Sequence, residues 1–176
     1  MDIYFLRHAS AGDSTLNPAK DDVRPLDKLG IEQSHNVGVA LAALKVSFDA
    51  ILCSPLLRAQ QTAKIVAEEI GHKDKIITEP ALEPGGSYEQ FQSIVSRYGK
   101  EKAILVVGHN PSMTEVLNHL LVGEGAPDAI EVKKAAIAKV QKDGNRAMLK
   151  WCLPPKVLRA LQQGSAKSSR PKTFSK

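Results

Sequence analysis

This sequence is poor in cysteine and lacks long apolar runs. Only Cys53 and Cys152 are present, far apart and without CxxC spacing, which excludes a disulfide framework and predicts buried thiols. No apolar run approaches the roughly 20 residues that span a bilayer, and the start of the chain lacks the basic-then-apolar pattern of a signal peptide. We therefore expect a cytoplasmic protein without a membrane partner.

Most of the net positive charge lies in the last residues. The formal net charge is +5, but Lys167, Arg170, Lys172 and Lys176 contribute four of these charges. The remainder of the chain carries about +1, which argues against a nucleic-acid partner. We expect one domain over residues 1–163, followed by a basic, disordered tail over residues 164–176 whose role the sequence leaves open.

Strand-like and helix-like segments alternate along the chain. DIYFLR, DAILCS, KIITE and AILVVG are predicted strands, and AAIAKV and AMLKWC form a predicted late hairpin around DGN. Predicted helices include LGIEQSHNVGVALAALK and SYEQFQSIVSRYG. Ser54 and Pro55 are predicted to start another helix, and Asn110 and Pro111 a fourth. The pattern predicts an α/β fold with a mostly parallel central sheet and helices on both faces.

Polar side chains lie at or shortly after the ends of three of these strands. Arg7 and His8 follow the first, Ser54 and Arg58 the second, and His109 the fourth. Because ligands bind beyond the carboxyl ends of parallel strands, we expect these side chains to converge. Arginine forks match phosphate oxygens, and a neutral imidazole is a competent nucleophile near pH 7. The sequence therefore predicts a site for a phosphoryl group.

Four motifs occur in order over about residues 1–125: FLRHAS, DDVRPLDKLGIEQ, SPLLRAQQTA and VVGHNP. Together they resemble the histidine phosphatase superfamily, and within it the small SixA-type phosphohistidine phosphatases. The chain departs from the wider pattern at Ala9, where glycine is usual. The resemblance implies a three-layer, phosphoglycerate-mutase-like fold and a catalytic site without a metal or a cofactor.

The resemblance also implies residue roles. His8 would be the nucleophile that becomes phosphohistidine, and Arg7, Arg58 and His109 would hold the phosphoryl oxygens. Arg24 falls in the segment that resembles the substrate-facing loop, where a phosphate or partner contact and an ordinary surface charge are both open. Glu83 falls where other branches carry a general acid, and a helix cap or exposed loop charge is its alternative.

The substrate follows less directly. Only about 25 residues separate the third and fourth predicted strands, which leaves little chain for a lid and favours phosphohistidine on a signalling protein, such as a histidine phosphotransfer domain. The first alternative is a small phosphate ester, hydrolysed with Glu83 as the acid. The second is a non-catalytic phosphate-binding module whose tail docks on an acidic partner. The physiological substrate and the oligomeric state stay open.

Overall fold

A six-stranded sheet forms the centre of the computed structural model, which describes residues 1–12, 18–125 and 129–168. Its strands lie in the order β3-β2-β4-β1-β5-β6. The first four strands along the chain pair in parallel, and β5 and β6 are antiparallel to their neighbours. The strands are β1 (Asp2–Arg7), β2 (Ala50–Cys53), β3 (Ile77–Thr78), β4 (Ala103–Gly108), β5 (Ile137–Asp143) and β6 (Arg146–Leu153). The predicted mostly parallel sheet and its late hairpin are confirmed.

Helices cover both faces of this sheet, and each face has its own apolar core. Alternate residues of β1 enter these two cores. Tyr4 and Leu6 belong to one apolar cluster, whereas Ile3 and Phe5 belong to the other. The first cluster includes residues of α1 (Lys28–Ala43), α2 (Leu57–Glu69) and α5 (Pro155–Ser168), and the second includes residues of α3 (Tyr88–Arg97) and α4 (Ser112–Val122). The predicted three layers are therefore present. No described helix is long and apolar enough to cross a membrane.

Two predicted helix starts are wrong. The α2 helix begins at Leu57, not at Ser54 and Pro55, and Leu56 is its cap residue. The α4 helix begins at Ser112 after Pro111, so Asn110 is not its cap. In both cases the polar side chain serves a longer-range contact: Ser54 bonds His109, and Asn110 bonds the carbonyl of Val132.

The C-terminal part also differs from expectation. Helix α5 was not predicted, and it continues to Ser168, past the expected start of the tail at residue 164. Leu158 on this helix is buried in the core on the α1 side, and extending an existing helix costs less than nucleating one. Residues 169–176 lie outside the described residues, so the disordered tail stays a prediction for them.

The chain after β1 is anchored to the start of α1. Asp27 caps that helix by accepting from the Gly30 N–H at 2.7 Å, and its other oxygen accepts from the Ser10 hydroxyl and the Gly12 N–H at 2.7 and 2.8 Å. A Cβ on Gly30 would lie 1.9 Å from the Ser10 carbonyl oxygen. Glycine at this position therefore lets the loop that follows the first strand approach the helix closely.

Candidate active site

His8 lies where β1 ends, and its side chain is only 5% exposed. Its Nδ1 lies 2.7 Å from the carbonyl oxygen of Ala9. A carbonyl can only accept, so Nδ1 carries the ring proton and Nε2 keeps its lone pair. Burial lowers the pKa of His8 to about 3 despite that hydrogen bond, and the neighbouring cations lower it further. The ring is therefore neutral near pH 7, as a nitrogen nucleophile must be.

His109 follows β4 and faces His8. The two ring centroids are 4.8 Å apart, and Nε2 of His109 lies 2.9 Å from the Ser54 hydroxyl oxygen. Burial, then the nearby His8 and Arg58, lowers the pKa of His109 to about 3. Its Nδ1 is buried and has no hydrogen-bond partner among the described residues. Donation from Ser54 to Nε2 would place the ring proton on Nδ1 and make that atom a donor for an anion.

Two arginines flank the histidines, and both have unsatisfied donors. Arg58 is 4% exposed; its two terminal nitrogens bond the carbonyl and a carboxylate oxygen of Asp21 at 2.8 and 3.1 Å. Arg7 Nη1 donates to the Val132 carbonyl at 3.1 Å. Both Nε atoms are buried without a partner among the described residues. Unpaired buried donors cost free energy, which favours an anionic ligand that accepts from them.

These groups line one cavity of about 330 Å³ at the carboxyl edge of the sheet. Four lining side chains are cationic and one is a carboxylate, so the cavity suits an anion of more than one charge. Its lining residues are Arg7, His8, Gly12, Asp21, Arg24, Arg58, Pro84, His109, Asn110 and Lys134.

Known proteins are similar to this chain in sequence and in fold. The family model of the histidine phosphatase superfamily (branch 1) matches residues 3–84. An uncharacterised protein of Picosynechococcus sp. is 32% identical over 169 residues, which cover 88% of this chain and 100% of that protein. The chain belongs to the histidine phosphatase superfamily.

Within the superfamily this phosphatase is of the SixA type. The phosphohistidine phosphatase SixA of Escherichia coli (strain K12) is 28% identical over 157 residues, covering 88% of this chain and 94% of that protein. The structure of the protein histidine phosphatase SixA complexed with tungstate matches with a TM-score of 0.79 at 28% identity, covering 90% of this chain and 99% of that one. The resemblance drawn from the four motifs is confirmed.

The fold of the present protein brings together four residues singled out from the sequence: Arg7, His8, Arg58 and His109. Arg24 also lines the cavity, with its Nε 2.8 Å from an Asp21 carboxylate oxygen.

Glu83 is placed differently. It follows the short 3₁₀ helix Pro80–Leu82 and is half-buried, but its neighbour Pro84 lines the cavity and Glu83 itself does not. Its role as an acid stays a prediction.

Sequence reasoning missed three lining residues of this phosphatase that have polar or charged side chains: Asp21, Asn110 and Lys134. Asp21 lies inside a quoted motif but was given no role, and Asn110 was interpreted as a helix cap. Lys134 precedes the predicted hairpin, and an antiparallel strand next to β1 begins at the edge where β1 ends. That reversal is the signal that could have found it.

Cysteine and metal-binding side chains add little to this site. Cys53 is buried, as predicted, and burial raises the pKa of its thiol to about 11, whereas Cys152 is only half-buried. Among the described residues, no group of three or more histidine, cysteine, aspartate or glutamate side chains could hold a metal ion.

Proposed function

We propose that this phosphatase removes the phosphoryl group from phosphohistidine on a protein, such as a histidine phosphotransfer domain, through a phosphorylated His8. The observation that carries the proposal is the state of His8: a buried, neutral ring whose Nδ1–H is held by Ala9 and whose Nε2 is left with its lone pair. This nucleophile lines a cavity rich in cations.

In the first step, Nε2 of His8 attacks phosphorus, and the bond between phosphorus and the substrate nitrogen breaks. The bonding electron pair goes to the substrate nitrogen, and a substrate ring already protonated on its other nitrogen leaves as neutral imidazole. Arg7, Arg58 and His109 donate hydrogen bonds to the phosphoryl oxygens as charge develops on them. In the second step, water attacks phosphorus, the bond to Nε2 breaks, and inorganic phosphate leaves a restored His8.

The ionisable side chains that line the cavity favour a substrate with a nitrogen leaving group. Asp21 is the one carboxylate that lines it, and hydrogen bonds from Arg24 and the charge of Arg58 hold the pKa of that carboxyl below its usual value despite partial burial. Asp21 is therefore ionised near pH 7 and is a poor acid. An imidazole leaving group has an ordinary pKa of about 6.5 and needs less protonation than an alkoxide, so phosphohistidine fits this site.

The connection between β3 and β4, which carries the cavity-lining Pro84, is short. Between Thr78, where β3 ends, and Ala103, where β4 begins, the elements are the 3₁₀ helix Pro80–Leu82 and the ten-residue α3. Such a short connection provides no large lid that encloses a small molecule. The shortness of this connection supports a substrate whose phosphoryl group sits on the surface of another protein.

The test is phosphate release from a phosphorylated histidine phosphotransfer domain in the presence of EDTA. Wild-type protein should release phosphate rapidly, and His8→Ala should not. His35→Ala is the matched control, because His35 is exposed and bonded to Glu69 outside the cavity; it should behave like the wild type. Slow release from this substrate by an enzyme that hydrolyses small esters well would contradict the proposed substrate.

A small phosphate ester is the second candidate, supported by the position of Glu83 beside the cavity-lining Pro84. If Glu83 protonates the leaving oxygen, Glu83→Gln should slow ester hydrolysis by about 100-fold or more. Glu89→Gln, a change at an exposed residue of α3, is the matched control. Equal ester rates in the two variants would exclude Glu83 as the acid.

A further inference from the structure

The segment 132–135 is tied directly to the residues proposed to carry the chemistry. The Val132 carbonyl accepts from Arg7 Nη1 at 3.1 Å and from Asn110 Nδ2 at 3.0 Å. The Ala135 N–H lies 3.1 and 3.2 Å from the carbonyl oxygens of Arg7 and His8. Lys134 lies between these two anchors, so its backbone position is set by the strand that carries the nucleophile.

The side chain of Lys134 differs from the other cations of the cavity. Arg24 and Arg58 share the carboxylate of Asp21, and Arg7 bonds the Val132 carbonyl. Lys134 is half-buried and lines the same cavity, yet in the part of the chain that the structure describes it takes part in no ion pair or side-chain hydrogen bond. Its charge is close enough to contribute to the lowered pKa of His8.

We propose that Lys134 is a phosphoryl-binding residue, since among the described residues it is the one cation of the cavity whose side chain has neither an ion pair nor a hydrogen bond. This inference rests on the proposed function. An ammonium group has three donors on a flexible stem, so it can follow the phosphoryl oxygens as phosphorus moves from the substrate nitrogen to His8 and then to water. The arginines, held by their protein partners, cannot move in this way. Lys134 therefore strengthens the binding of substrate and product phosphoryl groups alike.

The neighbouring Lys133 makes a matched control possible. Lys133 is exposed, lies 3.8 Å from Glu131, and does not line the cavity. Lys133→Met and Lys134→Met change the net charge of the protein equally, so a long-range effect of charge would be the same in both. Only a direct contact with the bound phosphoryl group separates the two variants.

The experiment is a calorimetric titration of each protein with inorganic phosphate at pH 7.5. Lys134→Met should weaken phosphate binding by about 10-fold or more, whereas Lys134→Arg, which keeps the charge, should stay within about 3-fold of the wild type. Lys133→Met should stay within about 2-fold. Lys134→Gln is the second uncharged variant should the methionine variant fail to fold, which its thermal unfolding would reveal.

Each result is decisive. Equal losses in the Lys133 and Lys134 variants, or no loss in the uncharged Lys134 variants, overturn the role of Lys134 while leaving the proposed function intact. A wild-type protein that binds no phosphate overturns the role of Lys134, and phosphate release from the phosphotransfer domain decides the proposed function independently. Loss confined to the uncharged Lys134 variants supports direct binding by this side chain.

Discussion

The site has two regions that are built differently. We call His8, Arg58 and His109 the floor; they are 5%, 4% and 2% exposed. His8 and His109 directly follow β1 and β4, and Arg58 lies at the start of α2, which follows β2. We call Asp21, Arg24, Pro84 and Lys134 the rim; these residues lie outside the strands and α-helices and are more exposed. Charges act strongly in a buried floor and weakly in a solvated rim. The floor therefore suits chemistry, and the rim suits the choice of substrate.

The largest expected effect breaks the floor at its nucleophile. His8→Ala should abolish turnover because no nitrogen remains to accept the phosphoryl group, while affinity for inorganic phosphate changes by only a few-fold, since both arginines remain. Phosphate release from the phosphotransfer domain and calorimetric titration with inorganic phosphate measure the two properties. Turnover that survives in this variant would remove His8 from the mechanism.

A matched pair of arginine substitutions sharpens the comparison. Arg58→Lys should lower kcat/KM by about 100-fold or more, because lysine cannot both replace the paired contacts to Asp21 and donate to a phosphoryl oxygen. Arg24→Lys, the same change at the rim, should cost less than about 10-fold. Steady-state kinetics on the phosphotransfer domain provide the comparison. Similar losses at the two positions would erase the distinction between floor and rim.

A smaller effect is expected at Ser54, which contacts the floor residue His109. Ser54→Ala removes the hydroxyl that lies 2.9 Å from His109 Nε2 and should lower kcat about 10-fold by freeing the tautomer and orientation of that ring. Ser93→Ala, at an exposed serine of α3, is the control. An unchanged kcat in Ser54→Ala would mean that His109 is oriented without it.

The smallest effect concerns stability. The folded-state pKa of His8 is about 3, below its ordinary value of about 6.5, so the unfolded chain binds more protons between these values. The contribution of the neutral His8 ring to the free energy of unfolding is fully present above about pH 6.5 and is lost as the pH falls towards 3. His8→Gln should therefore lose fewer degrees of Tm than the wild type between pH 7 and pH 5, in phosphate-free buffer. Identical losses would contradict the burial of a neutral His8.

The floor was predictable because its residues are placed by strand ends. His8, Arg58 and His109 each come shortly after an apolar run, and parallel strands bring such positions to one edge. Nothing in this inference needs side-chain detail. The order of strands and the exact helix starts were not needed either, which is why the wrong caps at Ser54 and Asn110 left the predicted site intact.

Arg24 was a candidate from the resemblance, but the rest of the rim was not predictable because it depends on distant contacts. Arg7 and Val132 are 125 residues apart, and only the antiparallel pairing of β5 with β1 brings Lys134 to the cavity. Asp21 acquires its position from two arginines that the local sequence does not bring together. Helix α5 was missed for a similar reason, since its stability comes from packing against α1 and the core.

The place of β1 in the sheet has a consequence for synthesis. The strand that leads into His8 is the first strand along the chain, yet its partners β4 and β5 begin at Ala103 and Ile137. While the ribosome extends the chain, both edges of this apolar strand lack their final neighbours, a state that invites association with other chains. Dephosphorylating activity can therefore arise only when nearly the whole domain has emerged, and its appearance would time the end of folding.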